Sequence, residues 1–589
     1  MQSGWNTWND HNVLQHVLLP QGFVISIGLK QAINSDNYTL DEDYIDGSCL
    51  NQKKINPGLH SFDGSYTELD LELKNVTISL KSAQIGNDLV ILIDRIKGSE
   101  KKIKVVIETG LLWNSKGSIT QSKSMIKAIL PGKIIKVFST ENQIVDDPYL
   151  PIKTPYLCFL VGKKIGISTG RERSISEIES VINLEKNRML DRAKIYGNLS
   201  NAYSAIESLI GWSLIYEPKF DRVISTERRF KKKRNDGYYC FNWDGFFIPY
   251  LSCLINQDIA YVNVIERFNN RGTNVLIRKN NIEDDIKYFE DHNIPVSSII
   301  VKEVYKRYPN IWFLEACFED LITWNRWWPK FRMDNGVLGF EYSKIRSDFI
   351  NSIYNDNFYM DISIDPTDSL TIGDIGINKT SELFPLNKVG LNSLYIADCI
   401  ALLEIASILE RKEVIKELKS RIKYFKREME RFWDQNYGVY HNHDFNSDPL
   451  GKHFSPAIFF PLLANVGDQE QRQKIHDHFY KKNNFFGELI FSSNTKNNIL
   501  SKENKVYGAG ISPTINFLTY LGFRKAGFLK AAEEILIISQ GLLDINTNLE
   551  INYKNEISTK NLLSNWDIML GMMKFIENEV LPKPEISIQ

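Results

Sequence analysis

Cysteine is scarce in this chain and never paired. The six cysteines (Cys49, Cys158, Cys240, Cys253, Cys317 and Cys399) stand singly among 589 residues. There is no Cys-x-x-Cys and no Cys/His spacing of the metal-binding kind, which excludes a disulfide scaffold and a zinc finger. The six read as small buried apolar groups of a reduced protein. A charge of one sign is also lacking: 71 Lys and Arg face 72 Asp and Glu, for a net charge of −1. Such a chain has no global attraction to nucleic acid or to an anionic membrane, and neither is expected as a partner. The single basic run, Arg228 to Arg234 with Asn235-Asp236-Gly237 behind it, reads as a solvated loop. No apolar run reaches the roughly 18 residues of a membrane span. The first residues, MQSGWNTWNDHN, have neither a basic nor an apolar leader region, so a cytoplasmic location is expected.

Familiar catalytic signatures are missing as well. There is no Gly-x-Gly-x-x-Gly after a strand, no P-loop, no His-Glu-x-x-His and no Gly-x-Ser-x-Gly. Nucleotide-dependent, zinc-protease and serine-hydrolase readings fall away. His441, His443 and His453 lack metal spacing, so neither metal nor cofactor is expected.

What the chain does have is a globular balance, 43% hydrophobic and 24% charged, with 12% aromatics including 11 Trp. Trp and Tyr combine flat apolar faces with a polar edge, which suits sugar rings as well as core packing. From about residue 17 to 170 the apolar period is two. In "TELDLELKNVTISLKSAQ", Leu69, Leu71 and Leu73 alternate with polar residues, then Val76, Ile78 and Leu80 do the same, with Lys74-Asn75 at the turn. Several such runs at short spacing predict an antiparallel β-sandwich. After Thr169 the period becomes helical, with Ser174 or Ser176 as a cap.

From about 196 onward helices are expected to come in pairs. "VGLNSLYIADCIALLEIASILER" and "EVIKELKSRIKYFKREMERFW" form one αα-hairpin. Further pairs are expected at 197–216 with 244–256, 295–308 with 312–329, 455–465 with 469–482, and 511–524 with 526–543. Long connections rich in Asp, Asn, Gly and Trp separate the pairs, and connections of about 20 residues inside a compact domain are usually functional. The fold class is therefore α+β multidomain. A β-sandwich at 1–170 and a linker helix at 171–195 precede an (α/α)6 toroid at 196–580 and a tail at 581–589.

Four segments carry a resemblance through their shared order. They are "LSNAYSAIESLIGWSLIYEPKFDRVIS", "YYCFNWDGFFIPYLSCL", "WFLEACFEDLITWNRWWPKFRMDNGVLGFEYS" and "VGLNSLYIADCIALLEIASILER". The chain resembles bacterial members of glycoside hydrolase family 63 and the mannosylglycerate hydrolases, in the α/α-toroid clan that includes trehalases. "GWNTWNDHNVLQHVLLPQGFVISIGLK" is similar to the start of the sandwich domain in that group.

The resemblance implies an inverting, exo-acting α-glycosidase, α-glucosidase-like, that releases the non-reducing-end sugar of an oligosaccharide or small glycoside. Two carboxyl groups would do this, one giving a proton to the leaving oxygen and the other activating water. Asp361, in Tyr359-Met360-Asp361-Ile362-Ser363, falls on the family's acid, although Ile362 replaces its Asn. The base position reads Ile551, which takes no proton, leaving Glu550 and Glu556 as candidates. Tyr507 stands in an aromatic-Arg-Gly stretch whose Arg is gone, since Gly508 follows directly.

Other positions agree with the family more closely. Trp243 would stack on the sugar, and Asp244 would accept its hydroxyls or cap the following helix. Trp324 and Asn325, with Trp327 and Trp328, are expected at a helix end approaching the pocket, Trp328 serving as packing. Glu341 lines the pocket or is a surface acid. Asn392 orients the acid or caps a helix. The alternatives are an inactive carbohydrate-binding protein on the same scaffold and a sugar isomerase or epimerase.

Overall fold

A computed structural model describes residues 4–9, 13–31, 38–39, 53–73, 76–98, 103–122, 125–143, 154–160, 164–218, 221–226, 247–269, 295–339, 388–441, 456–481, 513–542, 544–545, 551–552 and 569–578. The N-terminal part is two antiparallel sheets. The smaller sheet pairs Gly4–Asn6, Gln15–Leu19, Phe23–Gln31, Ile103–Leu111 and Tyr156–Leu160 in that order, with Tyr38–Thr39 on the side. The larger has eight strands, and within it Tyr66–Leu73 lies against Val76–Ile85. The register there sets Leu73 opposite Val76, Leu71 opposite Ile78 and Leu69 opposite Leu80. The alternation read from the sequence thus puts one apolar row on one face. That row meets Ile25, Ile27, Val105 and Ile107 of the other sheet in a single core, which makes a sandwich.

Helix α1 (Ile175–Lys194) covers the outer face of the larger sheet, with Ile178, Ile182 and Met189 packed on Tyr66, Val90 and Leu92. The Ser174 hydroxyl caps it by accepting the Glu177 N–H, and the Glu177 carboxylate accepts the Ser174 N–H in turn, a reciprocal capping box. Helix α2 (Ser200–Ser213) is buried on nearly every side. The Trp212 indole N–H donates to the Gly58 carbonyl at 2.8 Å. Gly211 is what allows this approach, because a Cβ there would stand 2.9 Å from the His60 carbonyl oxygen. Helix α2 therefore docks on the sandwich rather than forming the expected hairpin with 244–256. It runs straight into an antiparallel ladder, Leu214–Glu217 with Arg222–Ser225.

The remaining helices form hairpins: α3 (Phe247–Ser252) with α4 (Gln257–Asn269), α5 (Ser297–Arg307) with α6 (Ile311–Phe331), and α7 (Lys388–Ile408) with α8 (Lys412–Met429). Next come α9 (Phe460–Leu463) with α10 (Gln469–Phe479), α11 (Pro513–Lys525) with α12 (Leu529–Leu542), and finally α13 (Met569–Glu577). Helices α3, α5, α7, α9, α11 and α13 neighbour one another in that order, with their partners packed outside them. This is the two-layered arrangement of an α/α toroid.

Helix α7 is buried along most of its length, whereas α8 buries only Leu418, Phe425 and Met429. By length and composition α7 would qualify as a membrane span, contrary to the sequence expectation. Its position, enclosed by α5, α6, α8 and α9, is that of a core helix apolar all round. Each inner helix leads to its outer partner through a few residues, and Gly527 at φ +83° makes one of these turns.

Candidate active site

Because every hairpin runs inner helix first, all inner helices begin at one end of the ring. The sequence stretches 227–246, 270–294, 340–387, 442–455 and 482–512 each lead up to that end. Trp243, Asp244, Glu341, Asp361, Tyr507, Glu550 and Glu556 belong to these stretches or to the segments flanking Ile551–Asn552, and they lie outside the described residues. Ile551–Asn552 itself pairs antiparallel with Asp544–Ile545.

Asn392 is among the described residues. It lies in the first turn and a half of α7 and is fully buried. Its Oδ1 accepts the Leu338 N–H at 2.9 Å, and its Nδ2 donates to the Leu338 carbonyl at 3.0 Å and to the Lys388 carbonyl at 2.7 Å. Leu338 ends the short hairpin Met333–Asp334 with Val337–Leu338. Asn392 therefore neither caps α7 through its N-terminal N–H groups nor lies free. It clamps together the two flanks of the stretch that carries Glu341 and Asp361.

Asn325 and Trp324 are placed differently from the expectation of a helix end. Helix α6 runs on to Phe331, so both lie well inside it. Trp324 stacks on Trp327 with ring centroids 5.0 Å apart and meets Trp328 edge-on at 5.6 Å, as spacings of three and four on a helix dictate. Trp328 is buried, as packing requires. Asn325 is fully buried among α5, α7 and α8 rather than at a pocket. Its Nδ2 donates to Asp398 Oδ2 at 3.1 Å, and its Oδ1 accepts from Arg421 at 2.5 Å. Pro329, four residues on, has no N–H for the Asn325 carbonyl. The Tyr395 hydroxyl takes that place at 2.9 Å.

Asp398, in the middle of α7, is the hub of these bonds. It accepts the Ser298 N–H at 2.7 Å and the Ser298 hydroxyl at 3.0 Å, besides Asn325. Ser298 is the second residue of α5, whose first N–H groups have no partner inside the helix. An acid from α7 thus satisfies the start of the neighbouring inner helix. Burial raises the Asp398 pKa to about 6, against the lowering by these hydrogen bonds. The legible signal was an Asp in the middle of a run of Ile, Ala, Cys and Leu, which needs buried partners to exist.

A cavity lies between the inner helices, lined from the first turns of α3 and α5 to the middle of α7 and the end of α11. Its volume is about 60 Å³. Phe247, Tyr250, Ile299, Phe517 and Leu518 form its apolar part, and Lys302, Glu303, Glu404 and Lys525 its charged part. Lys302 is 3.0 Å from Glu404 Oε2. Burial raises the Glu303 pKa, offset by Lys306 and Lys302. No group of three His, Cys, Asp or Glu among the described residues could hold a metal ion.

No curated protein matches the sequence. Solved structures that resemble the chain come from Thermus thermophilus. A GH63 mannosylglycerate hydrolase in complex with Tris and D-glycerate is 13% identical, covering 57% of this chain and 93% of that one at a TM-score of 0.44. The same enzyme with Tris alone is 14% identical over 57% and 93%, with a TM-score of 0.43. An uncharacterized conserved protein is 15% identical over 56% and 91%, also at 0.43. In sequence, residues 289–499 match the model of the mannosylglycerate hydrolase MGH1-like glycoside hydrolase domain, the family group that the ordered motifs resemble.

Proposed function

We propose that this protein is an inverting, exo-acting α-glycosidase that removes the non-reducing-end sugar of an oligosaccharide or small glycoside. The observation that carries the reading is the glycoside hydrolase match over 289–499, which contains both Glu341 and Asp361. In this reading the Asp361 carboxylic acid protonates the glycosidic oxygen as its bond to the anomeric carbon breaks. A carboxylate on the other side, Glu550 or Glu556, takes a proton from water, whose oxygen bonds to the anomeric carbon from the opposite face. Trp243 stacks on the ring, Asp244 accepts its hydroxyls, and Glu341 and Tyr507 line the pocket. Asn392 contributes by fixing the flanks of the stretch that bears the acid.

The test is turnover of an α-glycoside panel, with the anomer of the released sugar followed by NMR. Inversion gives the β-anomer first. Asp361→Asn keeps the side-chain shape and loses the transferable proton, so turnover falls by about 10²–10⁴-fold while sugar binding persists. Glu550→Gln and Glu556→Gln separate the two candidates for the base. One observation favours a second reading, a carbohydrate-binding protein without hydrolysis: Ile551 stands where the resemblance places the base. Binding of sugars with no hydrolysis across the panel would establish that reading in place of the first.

A further inference from the structure

We propose that the cleft between α1 and the outer face of the larger sheet is a second, non-catalytic site that takes a short neutral saccharide. The choice of a saccharide rests on the carbohydrate reading above. The cleft itself stands apart from the ring, because only the sandwich and α1 line it.

The cleft lies alongside α1, over the strands Val76–Ile85 and Asp88–Lys97, and its volume is about 340 Å³. Small-molecule sites begin at about 300 Å³. Its floor is apolar. Leu92 and Ile182 belong to the buried cluster under α1, and Ile96, 58% exposed, lines the same cleft.

The rim is charged but balanced. Lys164 lies 2.6 Å from Glu179 Oε1 and 3.8 Å from Asp94 Oδ2. Lys81 stands opposite Glu68 in the strand ladder and its charge acts on Asp70, yet it forms no ion pair with any described residue. Two cations and two carboxylates leave no net charge on the rim to call for an ion. What the rim offers is hydrogen bonding of both kinds. Lys164 meets one oxygen of each carboxylate, and a carboxylate accepts through both of its oxygens. Lys81 and the exposed amide of Asn183 supply donors.

A hydroxyl donates and accepts at once. A sugar ring carries its hydroxyls around its edge and C–H bonds on its faces, so it can rest on Ile96 while its hydroxyls reach Asp94, Glu179, Lys81 and Asn183. A purely apolar ligand would strip these groups of water and return nothing. An anion would face the two carboxylates, and a cation the two ammonium groups. The competing account is a hydrated seam in which water alone serves the rim.

Methyl NMR of the full-length protein, labelled at isoleucine, reads the floor through Ile96 and Ile182. The titrants are maltose, cellobiose and sucrose as neutral saccharides, with glucuronate and glucosamine as charged comparators. At least one neutral saccharide should shift both methyl signals saturably, with an affinity about tenfold above either comparator. Asn183→Trp fills the cleft from the exposed side of α1 and should abolish the shifts. That variant should hydrolyse a small α-glycoside as the unaltered protein does, and Asp361→Asn should keep the shifts, so loss of this site and loss of hydrolysis are told apart. If the unaltered protein hydrolyses nothing, the shifts decide alone. No shift with any of the three saccharides, a comparator that binds as tightly as the best of them, or shifts that persist in Asn183→Trp would overturn the proposal. If Asn183→Trp does not fold, the ranking of ligands on the unaltered protein decides.

Discussion

The sandwich and the helical ring both bury polar side chains, but they use different ones. In the sandwich two buried bridges between the sheets are neutral. His16 of one sheet bonds Ser82 of the other at 2.8 Å, and His60 bonds Thr7 across the same gap at 2.8 Å. Ladder hydrogen bonds occupy most of the backbone, so a side chain has little more to do than join the layers. In the ring each inner helix begins with N–H groups that no helical carbonyl reaches. At α5 the answer is the acid Asp398, linked through Asn325 to Arg421. A layer of strands can be closed with hydroxyl and imidazole groups, whereas a layer of buried helix ends calls for charge.

The sharpest way to break this contrast is Asp398→Ala. It strands the Ser298 N–H, the Ser298 hydroxyl and the Asn325 amide inside the ring. Each unsatisfied buried donor costs about 1–3 kcal/mol, so the loss should be about 3 kcal/mol or more. Urea denaturation followed by helical circular dichroism measures it. A loss under about 1 kcal/mol would mean that water replaces the carboxylate and that the hub is dispensable.

The two regions should also respond to pH with opposite signs. Burial lowers the His16 pKa from 6.5 to about 4. As pH falls below 6.5 the unfolded chain takes up the proton first, so the sandwich loses stability between 6.5 and 4. The Asp398 pKa is raised from 3.8 to about 6. Here the unfolded chain gives up its proton first as pH rises, so the contribution is full below 3.8 and is lost on the way up to 6. His16→Gln should flatten the acid limb of sandwich unfolding, and Asp398→Asn the opposing limb of the ring. Hydrogen exchange resolved by region reads the two separately, and parallel slopes in both regions would refute the contrast.

Much of the fold was legible because its signals are local. The alternation at 66–85 and the helical stripes at 388–429 each lie within one element or one hairpin. Helix α2 was not, since a helix buried on two sides has no single stripe, and its hairpin partner proved to be the sandwich. Of the candidate site residues, Asn392 and Asn325 lie among the described ones, and their duties were not legible in the sequence. Asn392 clamps a residue 54 positions away, and Asn325 bonds an acid 73 positions away. Such pairings depend on how helices neighbour in space, which spacing along the chain does not encode. The expectation that Trp324 stands at a helix end failed because Pro329 does not end its helix: a hydroxyl from α7 accommodates the missing bond.

The smallest expected effect tests whether the hub's influence stops at the ring's surface. Arg326 and Arg421 both contact Glu417. Arg326 does so from the outside, its side chain 51% exposed, with bonds of 3.0 and 2.6 Å to the two carboxylate oxygens. Arg421 is 14% exposed and also donates to Asn325. An exposed ion pair is worth about 0.2–1 kcal/mol, because water solvates both partners once it is broken. Arg326→Ala should therefore cost no more than that. Arg421→Ala should cost more, since the Asn325 Oδ1 is then left with the Tyr395 hydroxyl at 3.4 Å and the Cys399 thiol at 3.6 Å, both weak donors at those distances. Thermal unfolding of the two single variants and the double variant separates the effects. An Arg326→Ala loss equal to that of Arg421→Ala would mean that the network is one cooperative unit reaching to solvent, and the distinction between a charged interior and an ordinary surface would fail at this point.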